Sequence, residues 1–141
     1  MPELNLVEKV IALEAVPLFE NLGPEHLTEI ASIAREVQFA PRKLVLDDRH
    51  AVDALYIILD GSVELSRAGE ALYTARQNQV LGAWALFEED DSMPVRAEAL
   101  EDTRLLRIGR DDFYDLLADN SEITSALFST LVKRFRKLVE S

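Results

Sequence analysis

The sequence predicts an α+β fold in which two helices precede a β-roll or small barrel and two helices follow it. Apolar residues recur at intervals of three and four near both ends, as on one face of a helix, whereas short runs typical of strands fill the middle. Turn signals separate those runs at the spacing of a small sandwich or barrel. A chain of 141 residues fits one domain, so we predict a single domain over residues 1–141.

Two helices are expected at about residues 4–34. Pro17 ends the first, because the residue before a proline is pushed out of the helical region. Pro24 begins the second, because the missing N–H of a proline costs nothing at the first helical position. The residues expected to form buried stripes are Leu6, Val7, Val10, Ile11 and Leu13 in the first helix, and Leu27, Ile30, Ile33 and Ala34 in the second.

The β-roll is expected at about residues 35–109. Asp60-Gly61 separates two apolar runs, and this dipeptide accepts the positive φ of a tight turn, so we predict a hairpin there. The predicted strands cover residues 36–39, 44–46, 54–60, 62–67, 71–75, 95–100 and 104–108, with an interrupted stretch before the last two.

Helices return at about residues 110–139, and the longer of the two carries apolar residues on more than one side. One stripe must pack on another element. The second side is interpreted either as a homodimer surface or as part of the face that packs on the roll. The stripe consists of Ile123, Leu127, Leu131, Phe135 and Leu138, and the candidate dimer residues are Phe128, Val132 and Phe135.

The charge balance argues against nucleic-acid binding by this chain. There are 26 acidic and 15 basic residues, and the formal net charge is −11. Such a surface repels phosphate backbones, which are bound by clustered basic residues. The basic cluster at residues 133–137 suits the C-terminal end of a helix, where cations oppose the helix dipole.

The residue types also argue against catalysis and metal binding. There is no cysteine, which excludes disulfides, thiolate metal sites and thiol nucleophiles. The two histidines, His26 and His50, lie far apart in sequence, and we interpret each as a solvated side chain. We therefore predict no catalytic residue, no metal site and no enzyme.

The sequence shows neither a secretion signal nor a membrane-spanning segment. The N-terminus carries Glu3 and Glu8 in place of a basic start and an apolar core. The uncharged apolar runs are also shorter than the roughly 20 residues that a spanning helix needs. We expect a cytoplasmic location, or the cytoplasmic face of a membrane if the chain is part of a larger protein.

Several segments in order along the chain carry a family resemblance. They are Pro17-Leu18-Phe19, Ala54-Leu55-Tyr56-Ile57-Ile58, Gly61-Ser62-Val63, the run from Leu81 to Phe87, and Val95-Arg96-Ala97. Together they resemble the cyclic nucleotide-binding domain family. The resemblance implies an eight-stranded antiparallel β-roll of the jelly-roll type, with N-terminal helices and a long C-terminal helix. It also implies a regulatory role and a phosphate-binding cassette, a short helix and loop between two strands.

In that family the cassette runs from a glycine and a glutamate through the short helix to an arginine. Backbone N–H groups at the helix start bind the cyclic phosphate, the arginine adds charge-assisted hydrogen bonds, and the glutamate accepts a hydrogen bond from the ribose. By resemblance the candidate ligand-binding residues are Gly82, Ala83, Trp84, Ala85, Leu86, Arg96 and Ala97. Trp84 is interpreted either as a wall of the ligand site or as a core aromatic.

Three departures put nucleotide binding in doubt. Ala83 occupies the glutamate position, and a lost hydrogen bond to a charged group weakens binding by about 10- to 150-fold. Gly82 and Arg96 lie 14 positions apart, a longer spacing than is usual in the family, with Glu88-Glu89-Asp90-Asp91 in between. Glu98 shares a strand face with Arg96 and is expected to pair with it.

Two functional interpretations remain open. In the first, the chain is a regulatory or sensor module whose cAMP or cGMP pocket has degenerated, and it senses another small ligand, docks or dimerises. In the second, it is a working cAMP or cGMP effector domain that uses Arg96 and the backbone of residues 82–86. A transcription factor of the catabolite-activator type would need a helix-turn-helix after the long helix, for which the 141 residues leave no room.

Overall fold

Residues 3–83 and 95–140, which the computed structural model describes, form four α-helices and eight strands. By compactness the chain divides into two units, one formed by residues 1–34 and 111–141 and the other by residues 35–110. That residues 1–141 form a single domain therefore stays a prediction. The helices are α1 (Leu6–Glu14), α2 (Pro24–Ile33), α3 (Arg110–Asp119) and α4 (Ser121–Glu140), with a 3₁₀ turn at Pro17–Phe19. The strands are β1 (Ala34–Phe39), β2 (Leu44–Leu46), β3 (Ala54–Asp60), β4 (Val63–Arg67), β5 (Glu70–Ala75), β6 (Val80–Leu81), β7 (Arg96–Ala99) and β8 (Thr103–Gly109).

Local polar groups fix the start of α1. The side chain of Asn5 accepts a hydrogen bond from the backbone N–H of Glu8 at 2.8 Å, and the Glu8 carboxylate accepts one from the backbone N–H of Asn5 at 3.0 Å. This capping box satisfies two N–H groups that a helix start otherwise leaves without partners. In addition, the ammonium group of Lys9 donates a hydrogen bond to the carbonyl oxygen of Ala34 at 2.7 Å. This bond gives a partner to a carbonyl group that the end of α2 would otherwise leave without one.

The buried stripes of the first two helices are narrower than predicted. Only Leu13 of α1 is buried, whereas Leu6, Val7 and Ile11 are exposed. In α2 the buried residues are Leu27, Ile30 and Ala31, followed by Ala34 at its end, and Ile33 is half-buried. Periodicity shows which residues share a helix face, but it does not show whether another element covers that face.

The prediction for the long helix is correct only for its first half. Ile123, Leu127 and Thr130 are buried in α4, while Leu131, Phe135 and Leu138 of the predicted stripe are exposed. The 20 residues of α4 extend about 30 Å, and the buried ones all lie within the first half. The helix is therefore longer than the surface that covers it.

Polar contacts connect the elements of the helical unit, residues 1–34 and 111–141. One of these contacts corrects the interpretation of His26. Its Nε2 lies 3.0 Å from a carboxylate oxygen of Glu122 on α4, and its side chain is only 21% exposed. Near the 3₁₀ turn, the amide of Asn21 donates to the hydroxyl of Thr130 at 2.8 Å. His26 is thus an inter-helix contact rather than a freely solvated side chain.

The strands form two four-stranded sheets, which confirms the predicted antiparallel β-roll. The first sheet has the order β1-β8-β3-β6 and the second has the order β2-β7-β4-β5. Side chains from both sheets share one apolar core, which fixes which face of each strand points inward. That core contains Val45, Leu46, Ala54, Tyr56, Ile58, Val63, Leu65, Ala75, Leu81, Val95, Ala97 and Leu105.

The predicted hairpin at Asp60-Gly61 is wrong. The strands on either side of it belong to different sheets, because β3 pairs with β8 and β6 while β4 pairs with β5 and β7. Gly61, with φ +103°, forms the corner where the chain crosses between the sheets. The tight hairpin lies instead between β4 and β5, where Ala68 and Gly69 both have positive φ, as a type I′ turn requires.

One buried ion pair links β1 to β8 in the first sheet. A guanidinium nitrogen of Arg104 donates to a carboxylate oxygen of Glu36 at 2.9 Å. The Glu36 side chain is 2% exposed and that of Arg104 is 19% exposed. A carboxylate so far from water needs a partner, because burying an unpaired charge is very costly.

Candidate functional site

The start of the candidate cassette is a glycine that the fold requires. Gly82 follows β6 and has φ +84°, a conformation that side chains rarely adopt. A Cβ atom here would lie 2.9 Å from the carbonyl oxygen of Ala54 and 3.2 Å from a methyl carbon of Val52. Gly82 is therefore explained by close packing of the backbone, whether or not a ligand binds beside it.

Part of the candidate cassette lies outside the described residues. Ala83, next to Gly82, is half-buried. Trp84, Ala85 and Leu86 lie outside residues 3–83 and 95–140, as does the acidic run at 88–91. Their ligand-binding roles stay predictions.

Arg96 lies on the outer face of the second sheet. The inward positions are Ala97 and Ala99 of β7 and Val95 just before it, all buried, whereas the Arg96 side chain is 47% exposed. As strand alternation predicts, Glu98 shares the face of Arg96, and its carboxylate lies 3.7 Å from the guanidinium. The carboxylate of Glu98 therefore already lies beside Arg96, the candidate phosphate-binding residue.

Ala97 points away from Arg96, into the core of the roll. It is fully buried, and its cross-strand neighbour is Leu65 on β4. A small residue at this position leaves room for the packed Leu65 side chain. One ligand in contact with both the Arg96 guanidinium and the Ala97 methyl group would have to reach both faces of β7.

The sequence interpretation missed two arginines that follow inward-facing residues on their strands. Arg67 lies two residues after Leu65 on β4, and Arg107 lies two residues after Leu105 on β8. Leu65 and Leu105 are both core residues, so strand alternation assigns the arginines to the inner face. The sequence did contain the signal: in each strand an arginine occupies the next alternate position after an apolar residue.

Arg107 is held by polar neighbours. It is the cross-strand partner of the core residue Tyr56, and its guanidinium lies 3.3 Å from the carboxylate of Asp53. Burial lowers the pKa of Arg107, but hydrogen bonds with Tyr56 and Asp53 outweigh that effect and raise its pKa above the usual value. Arg107 is therefore a fixed positive charge with internal partners.

Two further chemical features are absent from the described part of the chain. Within residues 3–83 and 95–140, no three His, Asp or Glu side chains converge as ligands of a metal ion. In the same residues, no helix has the length and apolar character needed to cross a bilayer.

Comparison with known proteins places this geometry in a family. The family model for the cyclic nucleotide-binding domain matches residues 36–120, which is more than half of the chain. The match includes the whole roll from Glu36 onward together with α3.

Two curated relatives and one solved structure agree with that match. The chain is 28% identical over 109 residues to a cAMP-dependent protein kinase regulatory subunit of Yarrowia lipolytica, covering 74% of this chain and 28% of the relative. It is 25% identical over 130 residues to the cyclic AMP receptor protein of Thermus thermophilus, covering 89% and 60%. The chain thus spans less than two thirds of either relative.

The solved structure supports the fold alone. It is the N-terminal domain of a transcriptional regulator from Streptomyces coelicolor A3(2), with 24% identity and a TM-score of 0.74, and the match covers 90% of this chain and 93% of that one. Fold, strand order and family match lead to one conclusion: the chain belongs to the cyclic nucleotide-binding domain family, whose members are regulatory rather than catalytic domains.

Proposed function

We propose that the chain is a regulatory module in which the cAMP or cGMP pocket has degenerated, so that it senses another ligand, docks or dimerises. The observation that carries this proposal is the position of Arg96. It lies on the outer face of β7 with Glu98 beside it at 3.7 Å, while the inward positions on either side are Val95 and Ala97. A cyclic phosphate would therefore compete with an internal carboxylate for this guanidinium.

Two other features favour the same proposal. Ala83 offers no acceptor to a ribose hydroxyl where the family has a glutamate, which removes a charged hydrogen bond worth about 1.5–3 kcal/mol. The net charge of −11 also opposes an anionic ligand, although salt screens exposed charges beyond about 8–10 Å. We likewise expect no nucleic-acid binding by this chain.

The second candidate is a working cAMP or cGMP effector domain that uses Arg96 and the backbone of residues 82–86. It is favoured by the exposure of the Arg96–Glu98 pair, because exposed ion pairs contribute only about 0–1 kcal/mol and a phosphate could displace Glu98. Gly82, which matches the cassette glycine of the family, is also present and has a positive φ.

Isothermal titration calorimetry with cAMP and with cGMP separates the two candidates. We expect no saturable 1:1 binding at micromolar nucleotide in the wild type. The variant Ala83→Glu, combined with Glu98→Ala, should bind more tightly, by about 10- to 150-fold for the restored acceptor.

The matched control is Arg49→Ala, which removes an exposed, acid-paired arginine from the loop between β2 and β3. Micromolar binding by the wild type that is lost in Arg96→Ala, but kept in Arg49→Ala, would establish the second candidate and refute the degenerate pocket.

We also propose that the exposed side of α4 forms a homodimer interface. Phe128, Val132 and Phe135 are 67%, 48% and 68% exposed, and they repeat at helical spacing on one side of a 20-residue helix. Contiguous exposed apolar residues on a soluble surface mark sites of protein association.

Sedimentation equilibrium tests the dimer directly, since one chain has a mass of 15.9 kDa. We expect the wild type to sediment with twice that mass, and the double variant Phe128→Ser/Phe135→Ser to sediment as a monomer. Leu72→Ser on β5 is the control, because Leu72 is also an exposed apolar residue, at 46%. A monomeric wild type, or equal dissociation by the control, would refute the interface.

A further inference from the structure

The inner face of the second sheet carries a cation at the end of β4, next to the hairpin between β4 and β5. Along β4 the residues Val63 and Leu65 are fully buried in the core, and Arg67 is the next position on that face. On β7 the partners of Leu65 and Ser66 are Ala97 and Arg96, so Arg67 lies one residue beyond the last paired position, on the side of the buried Val95. An arginine thus continues a row that is otherwise apolar.

The guanidinium group of Arg67 contains a buried nitrogen without a hydrogen-bond partner in the part of the chain that the structure describes. Its Nε atom is buried, and among residues 3–83 and 95–140 it has no hydrogen-bond partner. Glu70 lies opposite Arg67 across the hairpin, yet its carboxylate accepts no hydrogen bond from the Arg67 Nε. A buried donor without an acceptor costs folding free energy, so this position calls for a partner that the described chain does not supply.

An aromatic ring lies on the same face. Tyr73 on β5 is the direct cross-strand partner of Leu65 and is 44% exposed, so part of its ring is open to a ligand. The Tyr73 phenol is neutral at physiological pH and can donate a hydrogen bond, and burial raises its pKa further above the ordinary value of 10.0. The face therefore carries a guanidinium group and a phenol ring, with Arg67 two residues along β4 from Leu65, the cross-strand partner of Tyr73.

We propose that Arg67 anchors a small organic anion inside the roll, a phosphate or carboxylate whose planar part lies against Tyr73. An arginine fork matches both anions geometrically, and an aromatic ring adds a stacking surface. This inference rests on the proposed function, because it names the ligand class of the same regulatory module. It is independent of Arg96, since Arg67 and Arg96 occupy opposite faces of the sheet.

The test observes Arg67 itself by ¹H–¹⁵N NMR of the arginine Nε–H groups, with the Arg67 signal assigned by its absence in Arg67→Lys. The probes are phenyl phosphate and sodium benzoate, titrated separately at constant ionic strength. We expect at least one of them to shift the Arg67 signal saturably, and the one that does so identifies the anion. If neither shifts it saturably, the proposal is refuted.

Thermal unfolding of three proteins completes the test. The active probe should raise the unfolding midpoint of the wild type and of the control Arg96→Met, but not of Arg67→Met. Without the probe, Arg67→Met should unfold about 2 °C or more above the wild type, because it removes a donor without a partner. A lower midpoint in this variant would mean that an acid of the chain already holds Arg67, which would overturn the proposal.

The two proposals fail separately. Micromolar cAMP binding that depends on Arg96 refutes the degenerate pocket without affecting the Arg67 signal. A probe response that survives in Arg67→Met but is lost in Arg96→Met refutes the Arg67 site and leaves the rest of the proposed function untouched.

Discussion

Gly61→Ala is expected to lower the free energy of unfolding by about 3–5 kcal/mol. Gly61 has φ +103°, where an L side chain is strained. A Cβ atom would also lie 2.5 Å from the hydroxyl of Thr103 and 2.8 Å from the carbonyl oxygen of Asp102, closer than atoms pack. The Asp102 carbonyl oxygen and the Thr103 Cα, each 2.8 Å from that Cβ position, are backbone atoms, so a shift of the Thr103 side chain alone would not relieve the clash.

Gly69→Ala is the matched control, measured with Gly61→Ala by urea denaturation. Gly69 has a comparable φ of +83°, but a Cβ atom there would have no atom within 4 Å. Its replacement should cost only the backbone strain, about 1–2 kcal/mol. Equal losses in the two variants would show that the close approach at Gly61 contributes nothing.

Arg104→Met is expected to destabilise the roll by about 3–5 kcal/mol. The substitution leaves the Glu36 carboxylate, which is 2% exposed, without the guanidinium that now lies 2.9 Å away. Most of this loss is the cost of keeping the Glu36 carboxylate buried after its guanidinium partner is removed, not the value of the ion pair itself. The double variant Glu36→Met/Arg104→Met should therefore recover most of the lost stability.

Arg136→Met is the control for an exposed ion pair. Arg136 pairs with Glu140 at 2.9 Å on α4, but both side chains are more than 60% exposed. Removal of this pair should change the free energy of unfolding by no more than about 0.5 kcal/mol. The burial argument would be contradicted if Arg104→Met cost no more than this control, or if the double variant were less stable than Arg104→Met.

Local sequence signals predicted most of the elements. The strand 54–60 was predicted with the bounds that β3 has, and the helix start at Pro24 is also correct. Both depend on interactions within a few residues of the chain, namely apolar periodicity and the tolerance of a helix start for proline. The antiparallel β-roll itself came from a family resemblance, because spacing alone does not distinguish a roll from a barrel.

Long-range pairing was not predictable in the same way. Asp60-Gly61 carries the chemistry of a tight turn, and the chain indeed turns there with Gly61 at positive φ. Whether the next strand pairs with the previous one or crosses to another sheet depends on β8 and β7, which lie some forty residues away in sequence. A dipeptide signal contains no information about those partners.

The candidate site also depended on strand pairing that the sequence did not reveal. A motif resemblance selected Arg96, while strand alternation, applied with the core known, assigns Arg67 to the inner face. The pairing of Arg96 with Glu98 followed from alternation alone and is confirmed at 3.7 Å. The face that points inward could not be determined until the second sheet was known.

The second half of α4 has a mechanical consequence. Thr130 is the last buried residue of the helix, and ten residues follow it to Glu140. This segment is a rod about 15 Å long, anchored at one end. A tilt of about 10° at the anchor carries the tip through about 3 Å. A small angular change at Thr130 would therefore be enlarged along this segment to a tip displacement large enough to separate surfaces in van der Waals contact.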